Sequence, residues 1–167
     1  MTTLYTETTS PLGSLLLTAE NGALTGVHFP GQKHDRPRQP HWQRADDDPV
    51  LASARAQLAE YFDGRRPSFD LPLAPRGTPF QQAVWRALLA VPFGATSTYG
   101  SIAAVIRRPK AVRAVGAAIG ANPIGIVVPC HRIIGRDGTL TGYAGGLERK
   151  ARLLALEART VPPEPTA

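Results

Sequence analysis

The stretch that decides the fold is Ile126-Val127-Val128-Pro129-Cys130-His131-Arg132-Ile133-Ile134, and it contains the only cysteine of the chain. Apolar runs of β-branched residues between turn residues are typical of short buried strands. A residue that precedes proline, as Val128 does, is held extended. The sequence therefore predicts that Cys130 lies at a bend between two buried strands.

The thiol of Cys130 has two interpretations. A lone cysteine is commonly an inert, small hydrophobic residue of the core. A reactive cysteine instead needs a neighbouring base or cation, because the thiolate is the nucleophile and an unperturbed thiol has a pKa of about 8.5. His131 is a candidate for that base. Consecutive residues of an extended chain face opposite ways, so contact would require the bend at Pro129 or a bridging water.

The composition predicts a soluble protein with a hydrophobic core. A hydrophobic content of 43% over 167 residues suffices for one ordinary domain or two small ones. No stretch approaches the roughly 18 consecutive apolar residues of a membrane span, and the N-terminus lacks the layout of a signal peptide. We therefore expect a cytoplasmic protein with no membrane association and no obligate protein partner.

Cysteine and histidine usage argues against a metal or a disulfide. One cysteine excludes an intrachain disulfide and any multi-thiolate zinc site. His34 and His41 lie in a polar loop close to the three aspartates at 46–48, where a metal site is conceivable. A solvated loop explains these residues equally well, so the sequence predicts neither a metal nor a cofactor.

The positive charge is concentrated in the half of the chain that carries the cysteine. Residues 1–75 contain 7 Lys and Arg against 9 Asp and Glu, a net charge of −2. Residues 76–167 contain 12 against 4, a net charge of +8. A polyanion such as DNA is the simplest partner for such a field, although a merely soluble basic surface would also explain it.

The first half of the chain predicts a small antiparallel sheet with one helix. Apolar runs over residues 3–28 are separated by turns, and Asn21-Gly22 between two of them is a strong hairpin signal, so we expect three strands. The polar, aperiodic segment that follows indicates a surface connection. Helical spacing from Pro49 to Tyr61, with Asp47 or Asp48 as N-cap, predicts an amphipathic helix that supports the sheet.

A domain boundary is expected over residues 62–76, where proline and glycine cluster and the net charge changes sign. The prediction is an α+β fold. It has an N-terminal scaffold domain over residues 1–75, a mostly helical domain over 76–159 whose short β element carries Cys130, and a disordered tail over 160–167. The second domain should open with a helix that is capped by Thr78 and ends near Val91.

Two helices joined by a tight basic turn follow. We expect them from Tyr99 to Ile106 and from Lys110 to about Ala121. This helix-turn-helix pattern occurs in DNA-binding proteins, but two packed helices also produce it. In the second helix Arg113 stands alone among alanines and glycines. That helix therefore either packs closely inside the protein or brings its backbone close to a large ligand.

The last part of the chain predicts a flexible segment and a helix with a buried acid. Residues 142–146 are rich in glycine around Tyr143, which lets main-chain N–H groups reach a ligand. The helix from Leu147 to Arg159 turns Leu153 and Leu154 inward, and Glu157 shares their face. Buried acids are rare unless paired, so Glu157 is a candidate functional residue.

Together these motifs resemble a known family. Pro129-Cys130-His131-Arg132-Ile133, with Asn122-Pro123 before it and Gly142-Tyr143-Ala144-Gly145-Gly146-Leu147 after it, is similar to the signature of the O6-alkylguanine-DNA alkyltransferases, or methylated-DNA-protein-cysteine methyltransferases. The similarity runs from about Gly77 to Glu157, and more loosely through the N-terminal half. It implies a DNA repair protein that binds double-stranded DNA containing O6-alkylguanine, flips out the damaged base and moves the alkyl group irreversibly to Cys130. It also implies activity on O4 of thymine.

The resemblance implies roles for individual residues. Cys130 would be the nucleophile, His131 a base acting through a water, and Glu157 the group that holds the imidazole tautomer. Asn122 would tie the strand around Cys130 to the turn after the DNA-binding helix. Arg113 would fill the place of the flipped base, on a helix that lies in the minor groove. The implied residues that contact substrate or DNA are Tyr99, Lys110, Arg113, Ala114, Gly116, Val128, Tyr143, Ala144 and Gly145.

The sequence departs from some relatives and leaves rival functions open. Ala144 stands where some relatives have serine, so a hydroxyl contact to the guanine oxygen is lost, and the N-terminal half has no zinc-ligand set. A thioether product has no hydrolysable acyl carbon, so the protein is expected to act once. The alternatives are a cysteine hydrolase with a Cys-His-Glu triad, which would turn over, and a helix-turn-helix regulator whose cysteine is structural.

Overall fold

The computed structural model describes residues 2–33, 35 and 37–159, so His34 and the predicted tail over 160–167 lie outside it. The predicted α+β fold is confirmed. In chain order the elements are β1 (Leu4–Ser10), β2 (Gly13–Glu20), β3 (Ala23–His28), β4 (Gln43–Arg44), α1 (Pro49–Phe62), α2 (Pro79–Leu89), β5 (Ser97–Thr98), α3 (Tyr99–Val105), α4 (Val112–Gly120), a 3₁₀ turn (Cys130–Arg132), β6 (Ile133–Ile134) and α5 (Leu147–Arg159).

The N-terminal sheet has the strand order β3-β2-β1-β4. The predicted hairpin between β2 and β3 is present, and Asn21 and Gly22 have φ values of 50° and 77°. Two positive φ angles are what a tight hairpin turn needs. The three antiparallel strands predicted over residues 3–28 are confirmed, and the sheet gains a fourth strand that was not predicted, because β4 pairs in parallel with the start of β1. Its two residues are exposed and polar, so no apolar pattern marks them as a strand.

Helix α1 covers the sheet as predicted and extends one residue further. The carboxylate of Asp48 accepts from the backbone N–H groups of Val50 and Leu51, both at 3.1 Å, which caps the helix. The predicted inward face, which includes Leu51, Leu58 and Tyr61, is buried. This face packs against the three long strands, and burial of each large side chain stabilises the fold by about 1.5–3 kcal/mol.

The helices of the second half begin and end close to the predicted residues. Helix α2 has the predicted Thr78 cap, strengthened by a reciprocal bond from Gln81, but it ends at Leu89 rather than Val91. Helix α4 is shorter than predicted at both ends, because Lys110 precedes it and a turn follows Gly120. Its buried face packs on α2 and α3, where Trp85 Nε1 donates to the Ala118 carbonyl at 2.8 Å.

The segment before Cys130 is buried but is not a strand, so that prediction was wrong. Residues 125–128 form a turn in which Ile126 has a φ of 69°, a strained value for a β-branched residue. The side-chain amide of Asn122 replaces a strand partner, because it accepts from Ile124 N at 3.0 Å and donates to Val128 O at 3.0 Å. The pair after Cys130 is a strand as predicted, and β6 pairs in parallel with β5.

The two halves of the chain share one buried core. Val27 of β3 donates to Pro123 O and accepts from Gly125 N, both at 2.9 Å, so the free edge of the sheet is covered by the segment that leads to Cys130. Buried apolar residues from both halves form a single cluster. The position of the domain boundary stays a prediction. In the part of the chain that the structure describes, every helix falls short of the length and apolar character of a membrane span.

Candidate active site around Cys130

Cys130 lies on the 3₁₀ turn at the inner end of a small cavity. Its side chain is buried, with 7% of the residue exposed. The cavity has a volume of about 10 Å³, the least that can hold one water molecule, and Asn122, Tyr143 and Phe29 are among its walls. The two hydrogen bonds of Asn122 fix the backbone on the N-terminal side of the sulfur. The site is therefore rigid at the sulfur and closed to large molecules in this state.

The environment of Cys130 favours a neutral thiol. Burial raises the pKa of the thiol, and the Asn122 side chain, the Lys150 charge and nearby backbone N–H groups only partly offset this effect. Burial thus outweighs the neighbouring groups that favour the thiolate. Ionisation of the sulfur therefore needs a base that accepts the proton.

His131 is placed to be oriented by Glu157 rather than to touch the sulfur directly. Its Nε2 lies 2.7 Å from Glu157 Oε2. Its Nδ1 is buried and has no hydrogen-bond partner among the described residues. Burial lowers the pKa of His131, so the imidazole is neutral at physiological pH, with Nε2–H donating to the carboxylate. Nδ1 is then the nitrogen that can accept a proton.

The carboxylate of Glu157 is buried and accepts hydrogen bonds from several side chains. Besides His131, it accepts from Arg132 Nε at 2.8 Å and Nη2 at 3.0 Å, and from Tyr61 Oη at 2.6 Å. Burial raises the pKa of Glu157, but the hydrogen bonds from His131 and Arg132 outweigh burial and hold the pKa at about 2. The acid is charged and fixed in place, and the predicted burial of Glu157 on the leucine face of α5 is confirmed.

Three buried polar residues around Cys130, His131 and Glu157 were not predicted from the sequence. Arg132 belongs to the decisive stretch, and its Nη1 also donates to Val91 O at 2.7 Å. Lys150 is fully buried and donates to the carbonyls of Ile133 and Thr141. Its spacing from Leu153 and Glu157 marks it as part of the same helix face. The sequence does not indicate the contact between Tyr61 and Glu157, because the two residues are 96 positions apart.

The glycine-rich segment forms the wall of the cavity, together with the N-terminal sheet. Tyr143, Ala144 and Gly145 line it, and the Ala144 carbonyl accepts from Lys33 N at 3.0 Å. Arg149 holds the same wall, because its guanidinium lies 4.0 Å from the centre of the Phe29 ring and donates to Gly145 O at 3.1 Å. The Lys33–Ala144 and Arg149–Phe29 contacts join distant parts of the chain and thus hold this wall against the N-terminal sheet.

Helix α4 connects an exposed surface with the cavity. Lys110, Arg113 and Ala114 are exposed near its start, while Gly120 at its end lines the cavity. Tyr99 is half-buried beside this helix, with Gly116 next to its ring and its hydroxyl 2.8 Å from Thr141 Oγ1. The structure therefore brings the predicted α4 residues to one surface. It places Tyr99 next to them, outside the lining of the small cavity.

Two family models match the two halves of the chain. Residues 3–75 match the ribonuclease-like domain of 6-O-methylguanine DNA methyltransferase, and residues 79–159 match its DNA binding domain. The chain belongs to the 6-O-methylguanine DNA methyltransferase family. The predicted family and the predicted methyltransferase class are therefore confirmed.

Relatives within the methyltransferase family cover nearly the whole chain. A methylated-DNA–protein-cysteine methyltransferase of Haemophilus influenzae is 48% identical over 94% of this chain and 88% of its own length. One from Mycobacterium bovis is 46% identical over 97% and 96%. The crystal structure of Mycobacterium tuberculosis OGT in complex with DNA is 46% identical, with a TM-score of 0.85 over 96% of each chain.

Acid is expected to destabilise this methyltransferase through the same network. The pKa of His131 is lowered from 6.5, so the unfolded chain binds that proton first and stability falls as the pH drops below about 6.5. The pKa of Glu157 is lowered from 4.5 to about 2, so its contribution is full above about 4.5 and is lost towards 2. Urea unfolding at several pH values should show free energy falling continuously below neutrality. A constant free energy between pH 7 and 4 would contradict the His131 shift, and a constant free energy between pH 4 and 2 would contradict the Glu157 shift.

Proposed function

We propose that this chain repairs alkylated DNA by moving the alkyl group from O6 of guanine to the sulfur of Cys130, once per molecule. The observation that carries the proposal is the buried thiol beside the His131–Glu157 pair, at the inner end of a helix whose outer residues are exposed and basic. Family membership supports the repair reaction. The S–C bond forms as the O6–C bond breaks, and the product is a thioether.

The proton follows a path that the geometry supports. Neutral His131 accepts the thiol proton through Nδ1 and a bridging water, and the guanine that leaves takes up one proton on its ring. The protons balance, because His131 gives up the proton it received and the net change is the transfer of the thiol proton to the guanine. The Glu157 carboxylate stabilises the imidazolium that forms, because its charge lies 2.7 Å from Nε2. Because Cys130 is a neutral thiol in the closed state, this transfer is needed to generate the nucleophile.

Base entry requires the cavity wall to move. A guanine is far larger than a cavity of about 10 Å³, so the segment around Tyr143 and Ala144 has to open. Backbone groups at Val128, Cys130 and Ala144 would then form hydrogen bonds with the base edges. The Tyr99 hydroxyl would give up its hydrogen bond with Thr141 and bond to the guanine ring instead. The proposal includes transfer from O4 of thymine, because this oxygen holds an alkyl group in the same way as O6 of guanine does.

DNA binding and base flipping are assigned to α4. Exposed Lys110 meets the phosphate backbone, while small side chains such as Ala114 let α4 approach the minor groove closely. Arg113 enters the stack in place of the flipped nucleotide, which offsets an unstacking cost of a few kcal/mol. Location in the cytoplasm and the lack of an obligate protein partner remain predictions.

Arg113→Ala is expected to slow transfer from duplex DNA by roughly 10- to 100-fold, since the vacated stack is then unfilled. Transfer from single-stranded DNA should change much less, because it has no stacked partner to replace. Single-turnover rates on both substrates measure this difference. Arg108→Ala, which removes another exposed cation near α4, is the matched control and should weaken binding to both substrates alike. Equal losses of rate on both substrates for Arg113→Ala would rule out its role in flipping.

The test of the proposed function is mass spectrometry after mixing the protein with a duplex that contains O6-methylguanine. We expect a mass gain of one methylene on the Cys130 peptide, at one per molecule, and none with undamaged duplex. A cysteine hydrolase would leave no lasting modification, and a regulator with a structural cysteine would bind DNA without any mass change. Either result overturns the proposal.

A further inference from the structure

The N-terminal half of the chain places one polar atom inside the catalytic network. Tyr61 of α1 is fully buried, and its hydroxyl donates to Glu157 Oε2 at 2.6 Å. The same oxygen lies 2.7 Å from His131 Nε2. Tyr61 and His131 therefore share one carboxylate oxygen, although they come from opposite halves of the chain.

Packing alone does not explain this hydroxyl. The Tyr61 ring already contacts the rings of Phe62, Phe69 and Phe93, with centroid distances of 5.2, 5.5 and 6.1 Å. A phenylalanine would keep those contacts without burying a polar group. Hydrogen bonds to a buried charge are short and strong, and 2.6 Å is within the range for a hydroxyl on a carboxylate. The hydroxyl therefore acts on the carboxylate rather than on the core.

The hydroxyl affects the oxygen that His131 uses. Glu157 Oε1 accepts from Arg132 Nε and, at 3.4 Å, from Gly94 N. Oε2 accepts from His131, Tyr61 and Arg132 Nη2. Each added donor at Oε2 restrains the carboxylate. It also takes up part of the negative charge of Oε2, which leaves less of it to stabilise a protonated imidazole. Tyr61 therefore influences both the position of Glu157 and the strength of its bond to His131.

We propose that Tyr61 is a positioning residue for alkyl transfer, through which α1 of the N-terminal half sets how Glu157 orients and polarises His131. The inference rests on the proposed function, because it needs His131 to serve as the base. It assigns the N-terminal half a part in the chemistry in addition to support. Among the described residues, the titratable or charged groups besides Glu157 that act on Tyr61 or His131 are Arg132, Tyr143 and Lys150. Replacing the Tyr61 hydroxyl leaves all three of these side chains unchanged.

The test compares Tyr61→Phe with Tyr5→Phe, each of which removes one buried tyrosine hydroxyl from the N-terminal half. Tyr5 is 6% exposed, and its hydroxyl accepts from Arg38 at 2.7 Å, away from Glu157.

Single-turnover transfer from an O6-methylguanine duplex is measured from pH 5 to 9, along with DNA affinity. For Tyr61→Phe we expect the rate at neutral pH to fall roughly three- to tenfold with unchanged affinity. The acid limb of the profile should move up by about half to one pH unit, because His131 becomes easier to protonate.

The outcomes separate this inference from the proposed function. If the wild-type protein gains no methyl group on Cys130, the proposed function itself fails. If the wild type reacts but Tyr61→Phe has the pH profile of Tyr5→Phe, only the role of Tyr61 is overturned. A purely structural role would lower stability and leave the acid limb in place. In a Glu157→Gln background that remains folded, Tyr61→Phe should have less than a twofold effect, and an undiminished effect there would also overturn the inference.

Discussion

Cys130→Ser is expected to abolish alkyl transfer while DNA affinity stays at the wild-type value. A serine hydroxyl is a far weaker nucleophile than a thiol at neutral pH, and a neutral base such as His131 does not ionise it readily. The cavity is about 10 Å³, and oxygen is smaller than sulfur, so the substitution fits without displacing the walls. Transfer should fall by at least about 10⁴-fold, as when a catalytic nucleophile is removed.

Two measurements on the same sample check this expectation. Peptide mass spectrometry should show no mass gain at position 130, and fluorescence anisotropy at fixed salt should give an unchanged dissociation constant for damaged duplex. Residual stoichiometric methylation of the variant would mean that another residue accepts the alkyl group. Loss of DNA binding together with transfer would mean that Cys130 supports the fold rather than the chemistry.

Glu157→Ala is expected to have the largest effect on stability. It leaves Arg132, whose side chain is 8% exposed, without the carboxylate that accepts two of its hydrogen bonds. It also leaves the Tyr61 hydroxyl and His131 Nε2 without their acceptor. Breaking a buried ion pair from one side costs about 3–5 kcal/mol, because the remaining charge stays buried. The imidazole also loses its orientation, so transfer should slow by at least roughly 100-fold.

Urea unfolding and single-turnover kinetics measure these two effects. The matched control is Glu7→Ala, which removes the same side chain from an ion pair with Arg44 whose partners are about half exposed (50% and 51%). Exposed pairs contribute about 0–1 kcal/mol, so this variant should be nearly neutral. Similar losses of stability in the two variants would show that burial of Glu157 does not strengthen its interactions.

Local signals predicted most of the scaffold. The Asn21-Gly22 hairpin and the Asp48 and Thr78 caps follow from hydrogen bonding and backbone preference within a few residues, and the structure contains all of them. Spacing also placed Glu157 on the buried face of α5. Short-range rules work at these positions because the groups that satisfy each other are close together in sequence.

The errors occur where distant groups decide the conformation. A β-branched run before Cys130 predicts a strand, but the Asn122 amide and the edge of β3 take up its backbone groups and hold Ile126 at a positive φ. Two-residue β4 is a strand only because β1 offers it a partner. The sequence gives no indication that Tyr61 meets Glu157, since that contact depends on how α1 packs against the second half of the chain.

The closed wall over Cys130 has a consequence for how long each molecule remains useful. Oxidants and small electrophiles in the cell attack cysteines in proportion to their access and their thiolate content. Both are low here, because only 7% of the residue is exposed and burial raises the pKa of the thiol. If the proposed single transfer consumes the thiol of Cys130, this cover would protect that thiol from earlier loss to metabolic by-products. On that proposal, molecules that have not yet met damaged DNA would keep their acceptor thiol available.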